Sequence, residues 1–128
     1  MSTSTPLAFL DVETTGLSPT ENRIAEIGVV MVDGARVERW TTLVKTLRRR
    51  EASSSTACEP DAVYDAPSFR NIAADLAQRL SGRLLVAHNA RFDHAFLKAE
   101  FDRVGIAFEP QIICSVMLSR RLYPQLAH

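Results

Sequence analysis

Asp33-Gly34, set between two runs rich in valine and isoleucine, restricts the folds open to this chain more than any other feature. Asp-Gly between apolar runs signals a tight hairpin, because glycine accepts the positive φ that the favoured two-residue turns demand. Ile24 to Val32 and Arg36 to Val44 are therefore expected as antiparallel neighbours flanking that turn, which excludes an all-helical fold. Leu7 to Val12 reads as a strand before them. Downstream the rhythm changes: from Ser68 to Leu80 the apolar positions Phe69, Ile72, Ala73, Leu76 and Leu80 recur at helical spacing, and Gly82 follows as a stop. Leu84 to Ala87 is a short buried strand. Arg91 to Val104 is a helix with Phe92, Phe96, Ala99 and Val104 near one side, ended by Gly105; Ile112 to Cys114 is a further strand, and Leu118 to Pro124 belongs to one more helix. Three strands followed by α-β-α-β-α predict a mixed α/β fold.

The chemistry is concentrated at the end of the first apolar run, Leu7 to Leu10, where the chain reads Asp11-Val12-Glu13-Thr14-Thr15-Gly16. Side chains at i and i+2 of a strand leave the same face, so Asp11 and Glu13 can address one point about 6 to 7 Å across. Hard carboxylate oxygens suit Mg²⁺ or Mn²⁺, and two such ions about 4 Å apart can hold the attacking and leaving oxygens of a phosphodiester. A solvated strand end is the alternative. A second acidic site follows Leu84-Leu85-Val86-Ala87, in the string His88-Asn89-Ala90-Arg91-Phe92-Asp93. Ligands of open α/β sheets gather beyond the carboxyl ends of the strands, so the two acidic sites are placed to converge. Asp93 falls in the first turn of its helix, where a carboxylate is favoured by the helix dipole even without a metal.

These two strings together resemble the DEDD exonucleases, the group that includes the proofreading subunit of bacterial DNA polymerase III. The resemblance covers Leu7 to about Val44 and Ala66 to the end. It implies a ribonuclease-H-like sheet, with Asp11, Glu13 and Asp93 as catalytic carboxylates holding two ions, Mg²⁺ or Mn²⁺. It also implies that Thr14, Thr15, Gly16, Asn89 and Phe92 line the cleft for a terminal nucleotide; for Phe92 a core aromatic is the alternative. The implied activity is hydrolysis at the 3′ end of a single strand, DNA rather than RNA, releasing nucleoside monophosphates, with a DNA polymerase as a partner.

Two departures from the family pattern bear on that expectation. Family members supply a histidine base and a fourth metal-binding aspartate from a later helix, whereas this sequence ends at His128. The chain is therefore expected to be incomplete at its C-terminus, weakly active or inactive alone, with an apolar sheet face left open. Losing a general base alone costs about 10² to 10⁴-fold in rate. His88 and Asp93 imitate the missing His and Asp spacing, but both belong to the second string, and neither His88 nor His94 is expected to act as the base. The other departure is 45–59, which carries Arg48, Arg49 and Arg50, a serine run and almost no apolar residue, and reads as a mobile loop. Those arginines could grip phosphates or be simply solvated. A non-catalytic remnant that keeps the fold and binds strand ends or another protein remains the rival expectation.

Composition agrees with a metal-using nuclease better than with a dedicated nucleic-acid binder. With 15 basic and 15 acidic residues the formal charge is zero, so no strongly basic footprint exists. The 128 residues, 46% of them hydrophobic, suit one domain with a real core. Cys58 and Cys114 give neither a disulfide framework nor metal-ligand spacing. No export signal or membrane-spanning run is present in the sequence, and a cytoplasmic location is expected.

Overall fold

The computed structural model describes residues 5–46 and 66–125. The expected loop at 45–59 lies, from residue 47 onward, outside the described residues, as does His128. Strands β1 (Leu7–Thr14), β2 (Ile24–Asp33) and β3 (Arg36–Leu43) form the antiparallel meander. Strands β4 (Leu84–Ala87) and β5 (Ile112–Cys114) add in parallel on the other side of β1, giving the order β3-β2-β1-β4-β5. Helices α1 (Phe69–Leu80) and α2 (Ala90–Arg103) occupy the connections before and after β4, and α3 (Ser115–Leu122) follows β5. This is the mixed ribonuclease-H-like sheet that the sequence led us to expect.

Alternation along β1 decides which face is buried. Ala8, Leu10 and Val12 join Ile27, Val29 and Met31 of β2 in one core with Phe69, Leu76 and Leu80 of α1 and Phe96, Leu97 and Phe101 of α2. Each of these apart from Ala8, fully buried, contributes about 1.5 to 3 kcal/mol. The odd positions take the other face, where Phe9 is 43% exposed, and its register partners Val30 and Val86 continue to Ile113, 37% exposed. An open apolar sheet face was expected, and these residues lie on it.

Several boundaries differ from the sequence reading, each for a physical reason. β1 continues two residues past Val12 because β2 keeps pairing with it, through Asp11↔Gly28 and Glu13↔Glu26 to Thr14↔Ile24. The hairpin pairs Asp33 with Arg36, so its two-residue loop is Gly34-Ala35 and not Asp33-Gly34. Gly34 has φ 61° and Ala35 is not left-handed, the pattern of a type II′ turn with glycine first. Asp33 is free to pair with Arg83 at the start of β4, at 2.9 and 3.0 Å. The buried stripe of α2 is Ala90, Asp93, Phe96, Leu97, Glu100 and Phe101, rotated from the expected Phe92, Phe96, Ala99 and Val104; two of its members are acids, which a search for apolar periodicity passes over. α3 begins at Ser115, directly after β5.

Candidate active site

β1 and β4 are adjacent and parallel, so their carboxyl ends open at the same edge of the sheet. The strand order also reverses here: β2 and β3 lie to one side of β1, β4 and β5 to the other. Crevices at such switch points are where ligands of α/β sheets bind. Asp11 and Glu13 share the open face of β1, and both are exposed. Asp11 has Gly28 as its partner on β2 and lines a cavity of about 450 Å³ with Phe9, Val30, Arg39, Val86 and His88. Asp93 enters from α2 and is 5% exposed.

Asp93 is the electrostatic centre of the site. Burial is the main cause that pushes its carboxyl up to about 6, and the negative charge of Asp11, with a smaller contribution from Glu13, pushes the same way. Hydrogen bonding from the backbone N–H of Val12, and from its own, opposes that shift. Negative charge that Asp11 and Glu13 impose on Asp93 is what a hard divalent cation relieves, so this donor set fits such an ion by its chemistry. Among the described residues, however, no three His, Cys, Asp or Glu side chains stand close enough together to hold one. Binding would have to draw the exposed Asp11 and Glu13 toward Asp93.

The remaining expected residues sit around this edge. The Thr14 hydroxyl donates to the Gly16 carbonyl at 2.6 Å. Thr15 pairs with Arg23 across the turn: its N–H donates to the Arg23 carbonyl at 2.9 Å, and its hydroxyl accepts the Arg23 N–H at 3.0 Å. A side chain at Gly16 would meet Asn22 at 2.5 Å, so the close approach that requires glycine here is made by Asn22. Asn89 is the N-cap of α2, but its side chain makes no capping hydrogen bond; its carbonyl accepts from Phe92 and Asp93. Phe92 is half-buried and tilts against Phe96 at 4.8 Å, a core contact in keeping with the alternative reading of that residue. His88 is exposed, with Nδ1 3.3 Å from the Ser115 hydroxyl, and His94 stacks on Phe108.

Arg23 and Glu100 escaped the sequence reading. Glu100 is fully buried and takes a two-pronged grip from Arg23, with Nε at 3.0 Å from both oxygens and Nη2 at 2.7 Å from Oε1. The Ile24 N–H donates to Oε2 at 3.0 Å, and Arg103 lies 3.3 Å from Oε1. The available signal was spacing: Glu100 is two helical turns after Asp93, so an acid stands where the apolar stripe should continue.

A carboxylate-lined edge on this sheet defines a class, and sequence comparison states it directly. A family model described as an exonuclease, of RNase T type, matches residues 8–128, and the chain belongs to that family, the DEDD exonucleases. Among curated relatives, DNA polymerase III PolC-type from Caldanaerobacter subterraneus subsp. tengcongensis is 33% identical over 91% of this chain. DNA polymerase III subunit epsilon from Treponema pallidum is 40% identical over 70% of it. The chain spans 8% of the first and 43% of the second. A zinc-bound E. coli exonuclease I complexed with single-stranded DNA superposes with TM-score 0.74 at 18% identity, covering 95% of this chain and 31% of that one. At that identity the likeness concerns the fold.

Proposed function

We propose that the chain is a metal-dependent 3′–5′ exonuclease domain, hydrolysing the terminal phosphodiester of a single strand, DNA in preference to RNA, and releasing nucleoside monophosphates. The observation that carries this reading is Asp93, buried at the switch point of the sheet, whose carboxyl is raised first by that burial and then by the charge of Asp11. Asp11, Glu13 and Asp93 would hold the divalent ions, Mg²⁺ or Mn²⁺. Such ions, when bound, make water a nucleophile near neutral pH and stabilise the leaving 3′ oxygen. The carboxylates orient and do not attack. Asn89 and the turn at Thr14, Thr15 and Gly16 border the same edge and would receive the terminal nucleotide, with the half-buried Phe92 beneath. The names of the relatives support a DNA substrate and association with a DNA polymerase as parts of the same proposal. Among the described residues no helix is long and apolar enough to cross a membrane.

One observation favours a second reading, a domain that keeps the fold and binds strand ends or another protein without cutting: no ready three-ligand cluster exists among the described residues. Mononucleotide release from a 3′-labelled single strand in Mg²⁺ and in Mn²⁺, with Asp11→Asn alongside, separates the two. Weak metal-dependent release that falls to background in Asp11→Asn is the expected result. Folded protein that releases no more than the mutant transfers the role to binding.

A further inference from the structure

We propose that Glu100 is a positioning residue: through Arg23 it fixes the turn that follows β1 against α2, and so sets the spacing between Asp11 and Glu13 on one side and Asp93 on the other. The inference rests on the reading of those three carboxylates as metal ligands. α2 presents one stripe to the sheet, with Asp93 at its first turn, Phe96 and Leu97 next, and Glu100 beyond them. Two turns separate the acids, roughly 10 Å along the axis. The Asp93 carboxyl accepts from the Val12 N–H of β1 and from its own N–H, and feels the charges of Asp11 and Glu13. Glu100 is saturated, by the Arg23 guanidinium and the Ile24 N–H where β2 begins. The helix is therefore pinned at one end by an acid paired to a guanidinium, while the acid at the other end is held by backbone N–H groups alone and carries no cationic partner among those that shift it.

Arg23 carries that restraint to the other half of the site. Its backbone forms the two hydrogen bonds with Thr15 that close the turn leaving β1, next to the register shift between Glu13 and Thr14. One side chain thus joins the segment bearing Glu13 to the helix bearing Asp93. Packing alone does not call for this pair: a fully buried carboxylate loses several kcal/mol of solvation that its partners must restore, and apolar residues of similar volume often serve stability as well or better. What a planar, two-pronged grip adds is a defined distance and orientation.

The test uses the full 128-residue chain and Mn²⁺ alone as probe. Glu100→Gln is compared with Phe101→Leu, a neighbouring core change that lowers stability without touching the grip. In Glu100→Gln, amide exchange at Thr15 and Ile24 should quicken at least tenfold beyond any change at Leu10, and Mn²⁺ affinity should fall at least tenfold. Phe101→Leu should leave that exchange ratio and the affinity unchanged. Should Glu100→Gln not fold, Arg23→Lys, which keeps the charge but not the two-pronged grip, gives the same readouts. Amides that change in step, or an affinity that merely follows Tm in both variants, would overturn the proposal. Absence of Mn²⁺ binding in the unaltered chain would instead remove the metal reading, and the exchange pattern would then decide alone whether the pair fixes the turn.

Discussion

Asp93 combines two demands that conflict without a cation: a place in the helix stripe beneath the sheet and a charge beside Asp11. Because its folded value, about 6, lies above the ordinary 3.8, the protonated carboxyl favours the folded state. Its contribution is complete below pH 4 and is lost as the pH rises through about 6, on the order of 3 kcal/mol for this group. Metal-free Asp93→Asn should accordingly be more stable than the unaltered chain at pH 7 and show a flatter profile between pH 4 and 7. Chemical denaturation across that range measures it, and a variant equally or less stable at pH 7 would refute the account. The same variant should lose nuclease activity, so stability and function are expected to move in opposite directions. The acids proposed for the site were singled out by sequence alone, Asp11 and Glu13 at the end of one apolar run and Asp93 six residues after another. The burial of Asp93 was not, because it depends on how α2 is rotated about its axis.

At the scale of the elements, local signals determined most of what formed. Ser68 caps α1, accepting the Asn71 N–H at 3.3 Å while Asn71 Oδ1 accepts the Ser68 N–H at 3.2 Å, a reciprocal box with asparagine in the usual place of glutamate or glutamine. Ser68→Ala should cost about 1 kcal/mol, read from thermal unfolding, and no change would mean that the box contributes little. At the hairpin, Gly34→Val should cost more, about 1 to 2 kcal/mol, because a β-branched residue is strained at φ 61°. An equal loss from Ala35→Val would show that the loop had been misplaced by one residue. That one-residue displacement is instructive. The Asp-Gly pair announces a turn, but the register belongs to the strands, and the Asp33 pairing with Arg83 lies fifty residues away in sequence. Likewise β1 runs past Val12 through Glu13 to Thr14, because on an open face the polarity of a side chain does not end a ladder whose partner strand continues.

In the whole molecule, α1, α2 and the sheet share one core, and this makes the described elements interdependent. Leu76, fully buried on α1, touches that common core. Leu76→Ala should lower stability by about 3 kcal/mol and leave a single unfolding transition; two separated transitions would show that the sheet and helices do not act as a unit. Arg79 joins α1 to the edge strand in the same sense, lying over the Trp40 ring at 5.3 Å and reaching Glu38 at 3.3 Å. Sequence by itself determined the kinds and order of the elements, the turn chemistry and the identity of the acidic residues, because periodicity, capping and side-chain type act over a few positions. Only the tertiary structure decided that β4 lies beside β1, that Asp93 is buried near Asp11, and that Glu100 is gripped by Arg23. Each of these joins residues more than seventy positions apart, and such a contact is set by the packing of the assembled core rather than by any local preference.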